Sequence, residues 1–192
     1  MAIRKVIQIG HPSLKAKNNS IKSITSPKIK QLITDLTDTM YDTGLIGIAA
    51  PQIAENYQIF VTHVRNTNVR KLGKEDTLRV FMNPKLTYLS KKQSLIYEGS
   101  GSVSDATLFG PVERSKEITI EAFDENGNKF SLTCDGILAR VILHEYDHLY
   151  GIEFIQKVKN YSQIKTEEYY VKDIKNSKRQ LASSIITKIE YN

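Results

Sequence analysis

The sequence predicts an α+β domain in which antiparallel sheets wrap around one buried helix. Two observations carry that expectation. Ile137, Leu138, Ala139, Val141, Ile142 and Leu143 make residues 137–143 apolar on nearly every side, and a helix without a polar stripe is a buried one. Ahead of it, short apolar segments separated by turn residues read as strands. Among these, Ile118, Ile120 and Ala122 alternate with polar neighbours, and Asn126-Gly127 offers a tight hairpin turn into residues 129–134.

The elements follow in chain order. Val6 to Ile9 is a short strand or extended lead-in, closed by Gly10-His11-Pro12. Residues 13–25 are polar and run over the surface. Ser26 supplies an N-cap hydroxyl and Pro27 the fixed φ of a first helical position. Ile29, Leu32, Ile33, Leu36 and Met40 then recur at helical spacing, and Gly44 stops that helix. Gly47 to Gln52 is a stretch of small residues, followed by a strand from Tyr57 to Val64. Residues 65–77 read as a loop, and 78–82, 85–89 and 93–97 as strands. Glu98 to Ser104 is too rich in Gly and Ser for regular structure. Asp135 stands where it can cap the buried helix 136–150, and Gly151 where it can end it. A further helix is expected near 165–182. Residues 1–158 are expected to form one domain and 159–192 a basic, helical C-terminal tail.

A chain of 192 residues with 40% hydrophobic and 25% charged content suits one globular domain, able to bury roughly 70% of its unfolded surface without a disulfide. Cys134 is the only cysteine, so no internal disulfide is expected. No run of about 18 apolar residues is present, so no membrane span is expected. The apolar part of Met1 to Gln8 is too short for a secretory signal. These features favour a cytoplasmic protein. The net charge of +6 is uneven. Residues 1–30 carry seven Lys/Arg and no acid, and residues 157–192 carry eight Lys/Arg against four acids. Such basic ends suit either an RNA surface such as the ribosome or plain solvation. Nothing points to DNA.

The strongest chemical signal is His144-Glu145-Tyr146-Asp147-His148. Residues i and i+4 lie over one another on a helix, so both imidazoles reach one ion. Glu145 is turned by about 100° from His144, toward water beside the ion rather than the ion itself. That is the physical content of the His-Glu-x-x-His pattern: a divalent metal acidifies water and the Glu carries the proton.

Three motifs together resemble the peptide deformylases. Leu45-Ile46-Gly47-Ile48-Ala49-Ala50-Pro51-Gln52 is similar to that family's Gly-x-Gly-φ-Ala-Ala-x-Gln, where φ is aliphatic. Glu98-Gly99-Ser100-Gly101-Ser102 is similar to its Glu-Gly-Cys-Leu-Ser, and residues 144–148 match its His-Glu-x-Asp-His. The resemblance runs from about Arg4 to Ile155. It implies antiparallel sheets around helix 136–150, with helix 27–43 packed outside. It also implies one divalent ion, Fe²⁺ or Zn²⁺, and hydrolysis of the formyl group from formyl-methionyl nascent peptides. By the same resemblance His144 and His148 are metal ligands and Glu145 is the general acid/base. Gln52 and the Gly101 N–H hold the oxyanion. Gly44, Leu45 and Gly47 form the edge on which an extended peptide lies, and Glu98 and Arg114 brace the site as an ion pair.

The sequence departs from the family at two motifs. Leu45 stands at the first glycine of the first motif. In the second, Ser100 stands at the cysteine metal ligand and Gly101 at the leucine. A serine hydroxyl is neutral near pH 7 and a poor substitute for a soft, anionic thiolate. Cys134 lies ten residues before His144, roughly 15 Å along a helix axis, and reads as a small buried hydrophobe. His63 and His11 read as strand-end and loop residues. Glu98 and Asp105 are carboxylates near enough in sequence to swing in as a third ligand. Two alternatives stay open: an impaired deformylase-like protein that binds peptide N-termini, and a zinc endopeptidase built on the same helix motif.

Overall fold

The computed structural model describes residues 3–66 and 76–191; most of the loop expected at 65–77 lies outside them. Helix α1, Pro27–Asp42, starts as its sequence dictates, with Ser26 Oγ accepting from the Ile29 N–H and Pro27 at the first helical position. Gly44 follows it at φ +69°.

A six-stranded antiparallel sheet carries the core. Its strands are β1 (Gly47–Ala49), β2 (Ile59–Thr62), β3 (Arg79–Leu89), β6 (Glu117–Phe123), β7 (Lys129–Asp135) and β9 (Ile189–Tyr191), in that spatial order. Three more strands, β4 (Gln93–Glu98), β5 (Leu108–Ser115) and β8 (Lys165–Thr166), form a second antiparallel sheet. β2 is apolar at Ile59, Phe60 and Val61 because both of its faces are covered. Ile59 and Val61, with Val80 and Met82 of β3, pack among Leu32, Leu36 and Met40 of α1. Phe60 and Phe81 point the other way, stacked with ring centroids 4.7 Å apart. They meet Leu138, Val141 and Ile142 of helix α2, Gly136–Leu149.

The segments expected at 78–82 and 85–89 are one strand. The pairing of β3 with β6 shifts register between Met82 and Lys85, where Asn83 adopts φ +49°, so a bulge rather than a break separates the two apolar runs. The Asn126-Gly127 turn joins β6 to β7, with Asp124 Oδ1 accepting the N–H groups of Asn126 and Asn128.

Two local expectations need correction. Asp135 is the N-cap residue of α2 but makes no capping hydrogen bond. Its carboxylate instead accepts from the N–H groups of Thr187 and Lys188, tying the C-terminal segment to the body. The helix expected near 165–182 is two short ones, α3 (Glu167–Asp173) and α4 (Lys178–Ser184). Ser177 starts the second by accepting from the Gln180 N–H. The same C-terminal stretch also contributes strands, β8 pairing with β5 and β9 with β7. Among the described residues no helix is long and apolar enough to cross a membrane.

Candidate active site

Helix α2 presents Arg140, His144 and His148 four residues apart, hence on one face. All three are at least nine-tenths buried. The imidazoles of His144 and His148 meet edge to face, with centroids 4.9 Å apart. Nδ1 of His144 is 3.0 Å from Glu98 Oε2, so Nε2 is the nitrogen left for a ligand. Nε2 of His148 faces Ser100 Oγ at 3.4 Å, and its Nδ1 lies 3.4 Å from Glu153 Oε2.

Glu98 is the centre of the bracing network. Arg114 grips it with Nε on Oε1 at 2.6 Å and Nη2 on Oε2 at 2.9 Å. Arg140 Nη1 reaches the same Oε1 at 2.6 Å. Arg114 Nη1 turns to Asp147 at 2.6 Å. Burial opposes ionisation of Glu98, but Arg114 and His144 hold its carboxyl well below the usual range. With both oxygens engaged, Glu98 does not swing in as a third metal ligand. Asp105 stays exposed at the rim of the cleft, its N–H on Gln8 Oε1. Cys134, on β7, is buried in the apolar core.

Glu145 is 4% exposed, and its Oε2 has no hydrogen-bond partner. Burial raises the proton affinity of its carboxyl, against the pull of His144 and His148. A Cβ on Gly47 would come within 2.6 Å of Glu145 Oε1 and 2.7 Å of Val141 Cγ1. Only glycine lets the strand lie this close to the acid. The His63 N–H donates to the Ile46 carbonyl, so by antiparallel alternation the backbone groups of Gly47 face the outer edge of β1. One carbonyl on that edge, Leu45 O, is already taken by Arg65 Nη1 at 2.7 Å.

Gln52 is locked in place. Its Oε1 accepts from the Ala49 N–H at 2.8 Å and its Nε2 donates to Ser102 Oγ at 3.3 Å. The second hydrogen of that amide remains for a ligand. The carbonyl of Gly101 accepts from Gln8 Nε2 at 2.8 Å. Gly44, Leu45, Gly47, Gln52, Ser100 and Glu145 all line one cleft of about 600 Å³.

The structure thus places Gly44, Leu45, Gly47, Gln52, Ser100, Gly101, His144 and Glu145 around one cleft, with His148 beside His144 and Ser100. It adds Arg140, Glu153 and Gln180. Arg140 had a signal, a lone arginine in an apolar helix one turn before His144. Glu153, acidic between Ile152 and Phe154, had a weaker one. Gln180 had none: its Oε1 accepts from the Tyr97 N–H at 3.0 Å and its Nε2 donates to the Tyr97 carbonyl at 3.1 Å. It occupies both backbone groups of Tyr97 on β4, while Tyr170 of α3 stacks on Phe109 at 4.1 Å. α3 and α4 thereby form one wall of the cleft.

Among the described residues no three His, Cys, Asp or Glu side chains are grouped to hold an ion. The donor set is two imidazoles and the Ser100 hydroxyl. Two donors each about 2.1 Å from a tetrahedral ion stand about 3.4 Å apart, and Ser100 Oγ and His148 Nε2 have that separation. That one separation is compatible with a divalent ion, and neither the hydroxyl nor a neutral imidazole brings it a negative charge.

Comparison with known proteins identifies the family. The family profile described as Polypeptide deformylase matches residues 3–163. A peptide deformylase of Psychrobacter cryohalolentis is 36% identical over 180 residues, which cover 94% of this chain and 92% of that protein. A Staphylococcus aureus protein named peptide deformylase-like is 33% identical over 174 residues, covering 90% of this chain and 100% of its own length. The crystal structure of an Acinetobacter baumannii class I type b peptide deformylase with Met-Ala-Ser bound superposes with a TM-score of 0.77 at 27% identity, covering 82% of this chain and 99% of that one. With two histidines and an acid on a buried helix and a profile match over most of its length, the chain belongs to the peptide deformylase family.

Proposed function

We propose that the protein is a peptide deformylase that removes the N-terminal formyl group from formyl-methionyl nascent peptides, with His144, His148 and Ser100 around one Fe²⁺ or Zn²⁺ ion. The observation that supports this best is that His144, Ser100, Glu145 and Gln52 line one cleft, with His148 beside both His144 and Ser100. When bound, the ion supplies Lewis-acid activation of water. Glu145 would accept a proton from the attacking water and deliver it to the leaving amine, a task suited to a carboxyl whose proton affinity burial has raised. The free hydrogen of the Gln52 amide and the Gly101 N–H receive the charge that develops on the formyl oxygen. The outward backbone groups of Gly47 pair with the peptide as an added strand, next to Gly44 and Leu45.

The relative crystallised with Met-Ala-Ser suggests the assay. Formate release from formyl-Met-Ala-Ser should require added Fe²⁺ or Zn²⁺ and fall to background in Glu145→Gln. Release from that variant at the normal rate would overturn the assignment. Cleavage of internal bonds in an unfolded protein would favour the endopeptidase reading instead.

Ser100 supports a second reading, of a protein that binds peptide N-termini with little turnover. Ser100→Cys separates the two: a large gain in formate release on restoring a thiolate marks the natural protein as impaired. The place of action in this proposal is the cytoplasm, where nascent peptides emerge, with the basic ends facing the ribosome. Binding to ribosomes that weakens steeply with salt would bear this out. Lys157, Lys159, Lys165 and Lys188 already lie within ion-pair distance of Asp147, Glu113, Asp173 and Glu117, so other lysines would carry the effect.

A further inference from the structure

Glu153 lies five residues beyond His148, just past the turn that ends α2. Its side chain is completely buried, and neither carboxylate oxygen has a hydrogen-bond partner. No lysine or arginine pairs with it among the described residues. Nδ1 of His148, itself without a hydrogen bond, lies 3.4 Å from Glu153 Oε2. A buried carboxylate without donors is costly, and an apolar side chain of the same size would fill the space without that cost. The fold therefore does not explain this residue.

The site does. Each α2 histidine has a buried carboxylate behind its Nδ1: Glu98 behind His144 and Glu153 behind His148. The two carboxylates differ in one respect. The charge of Glu98 is shared with Arg114 and Arg140, whereas among the described residues no arginine or lysine lies within ion-pair distance of Glu153. On the opposite side of the same His148 ring stands Ser100, whose hydroxyl brings no charge.

We propose that Glu153 is a positioning residue for His148: it fixes the ring with Nδ1–H toward itself and Nε2 toward Ser100, and it supplies from behind the imidazole the negative charge that the Ser100 hydroxyl does not bring to a divalent ion. The charge-supplying half rests on the metal-centre reading above; the orienting half does not. A carboxylate behind a ligating imidazole sets its tautomer and strengthens it as a donor, and losing one typically weakens metal binding about 10–100-fold.

Two measurements test this separately. Nitrogen-detected NMR of the metal-free protein, above the pH at which His148 titrates, should show the Nδ1–H tautomer of His148. Glu153→Gln should shift the ring toward Nε2–H, and Glu153→Asp should retain the native tautomer. An unchanged tautomer in Glu153→Gln overturns the orienting role, whether or not the protein binds metal. Zn²⁺ affinity, measured by competition with a chelating indicator, should fall about 10–100-fold in Glu153→Gln and less in Glu153→Asp. In a Ser100→Cys background the same Glu153→Gln change should cost much less, because a thiolate then brings the charge directly. Equal losses in both backgrounds, or none in the natural one, overturn the charge-supplying role. No Zn²⁺ binding by the unaltered protein overturns that role along with the metal reading and leaves the tautomer result to judge the orienting role alone.

Discussion

Cδ1 of Leu45 fills the space into which a side chain on Gly101 would grow: a Cβ built on Gly101 comes within 3.0 Å of it. The family motif has glycine at the first position and leucine at the second, and this chain has the reverse. Two departures far apart in sequence are therefore one exchange in space, with the bulk moved from one wall of the cleft to the other. Gly101→Leu alone should overpack the site and destabilise the protein by about 1–3 kcal/mol. The double variant Leu45→Gly with Gly101→Leu should recover most of that loss, as coupled neighbours do. Urea denaturation of the two single variants and the double one checks this, and strict additivity would show that the residues are independent.

Gly47→Ala tests the closest approach in the site. The added methyl meets Glu145 Oε1 and Val141 Cγ1, so the acid has to move. Displacement of a catalytic group by about 1 Å costs on the order of 10²-fold in rate. Formate release should fall by about that factor, while the melting temperature changes by only a few degrees. An alanine variant of full activity would show that Glu145 has room to spare.

Glu98→Gln should be costly in stability. It removes the one carboxylate shared by Arg114, Arg140 and His144. Arg114 keeps Asp147, but Arg140 is left buried without an acid. Breaking a buried charge pair from one side costs about 3–5 kcal/mol, which denaturant unfolding resolves easily. A loss below 1 kcal/mol would mean that water replaces the carboxylate.

Cys134 gives a prediction in pH. Burial pushes its thiol up to about 12, while an unfolded thiol titrates near 8.5. The folded state thus holds this proton more tightly than the unfolded state. The group's contribution to stability is complete below the unfolded pKa and is lost as pH rises toward 12. At pH 8 the native thiol should resist iodoacetamide and react only through unfolding. Rapid alkylation of the native protein would place the sulfur at the surface.

The parts of the fold that were legible in the sequence are those whose causes are local. Ser26, Pro27 and Gly44 define α1 because a cap, a fixed φ and a left-handed exit act within a few residues. The three motifs of the site are legible because each keeps its polar and small residues within a few positions of one another. Asp135 stands at a cap position in the sequence, but its carboxylate serves Thr187 and Lys188, more than fifty residues away. The β3 bulge at Asn83 hid the continuity of one strand behind a gap in its apolar pattern. Arg140 passed unremarked because the helix around it is so apolar, although its spacing from His144 carried the information.

Gln180 and Tyr97 are 83 residues apart in the chain, whereas His144 and His148 are separated by one helical turn. A contact across a long loop carries a closure entropy that a local contact does not, and topologies rich in such contacts assemble slowly. The wall supplied by α3 and α4 therefore costs more entropy to put in place than the helical turn that sets the two histidines side by side.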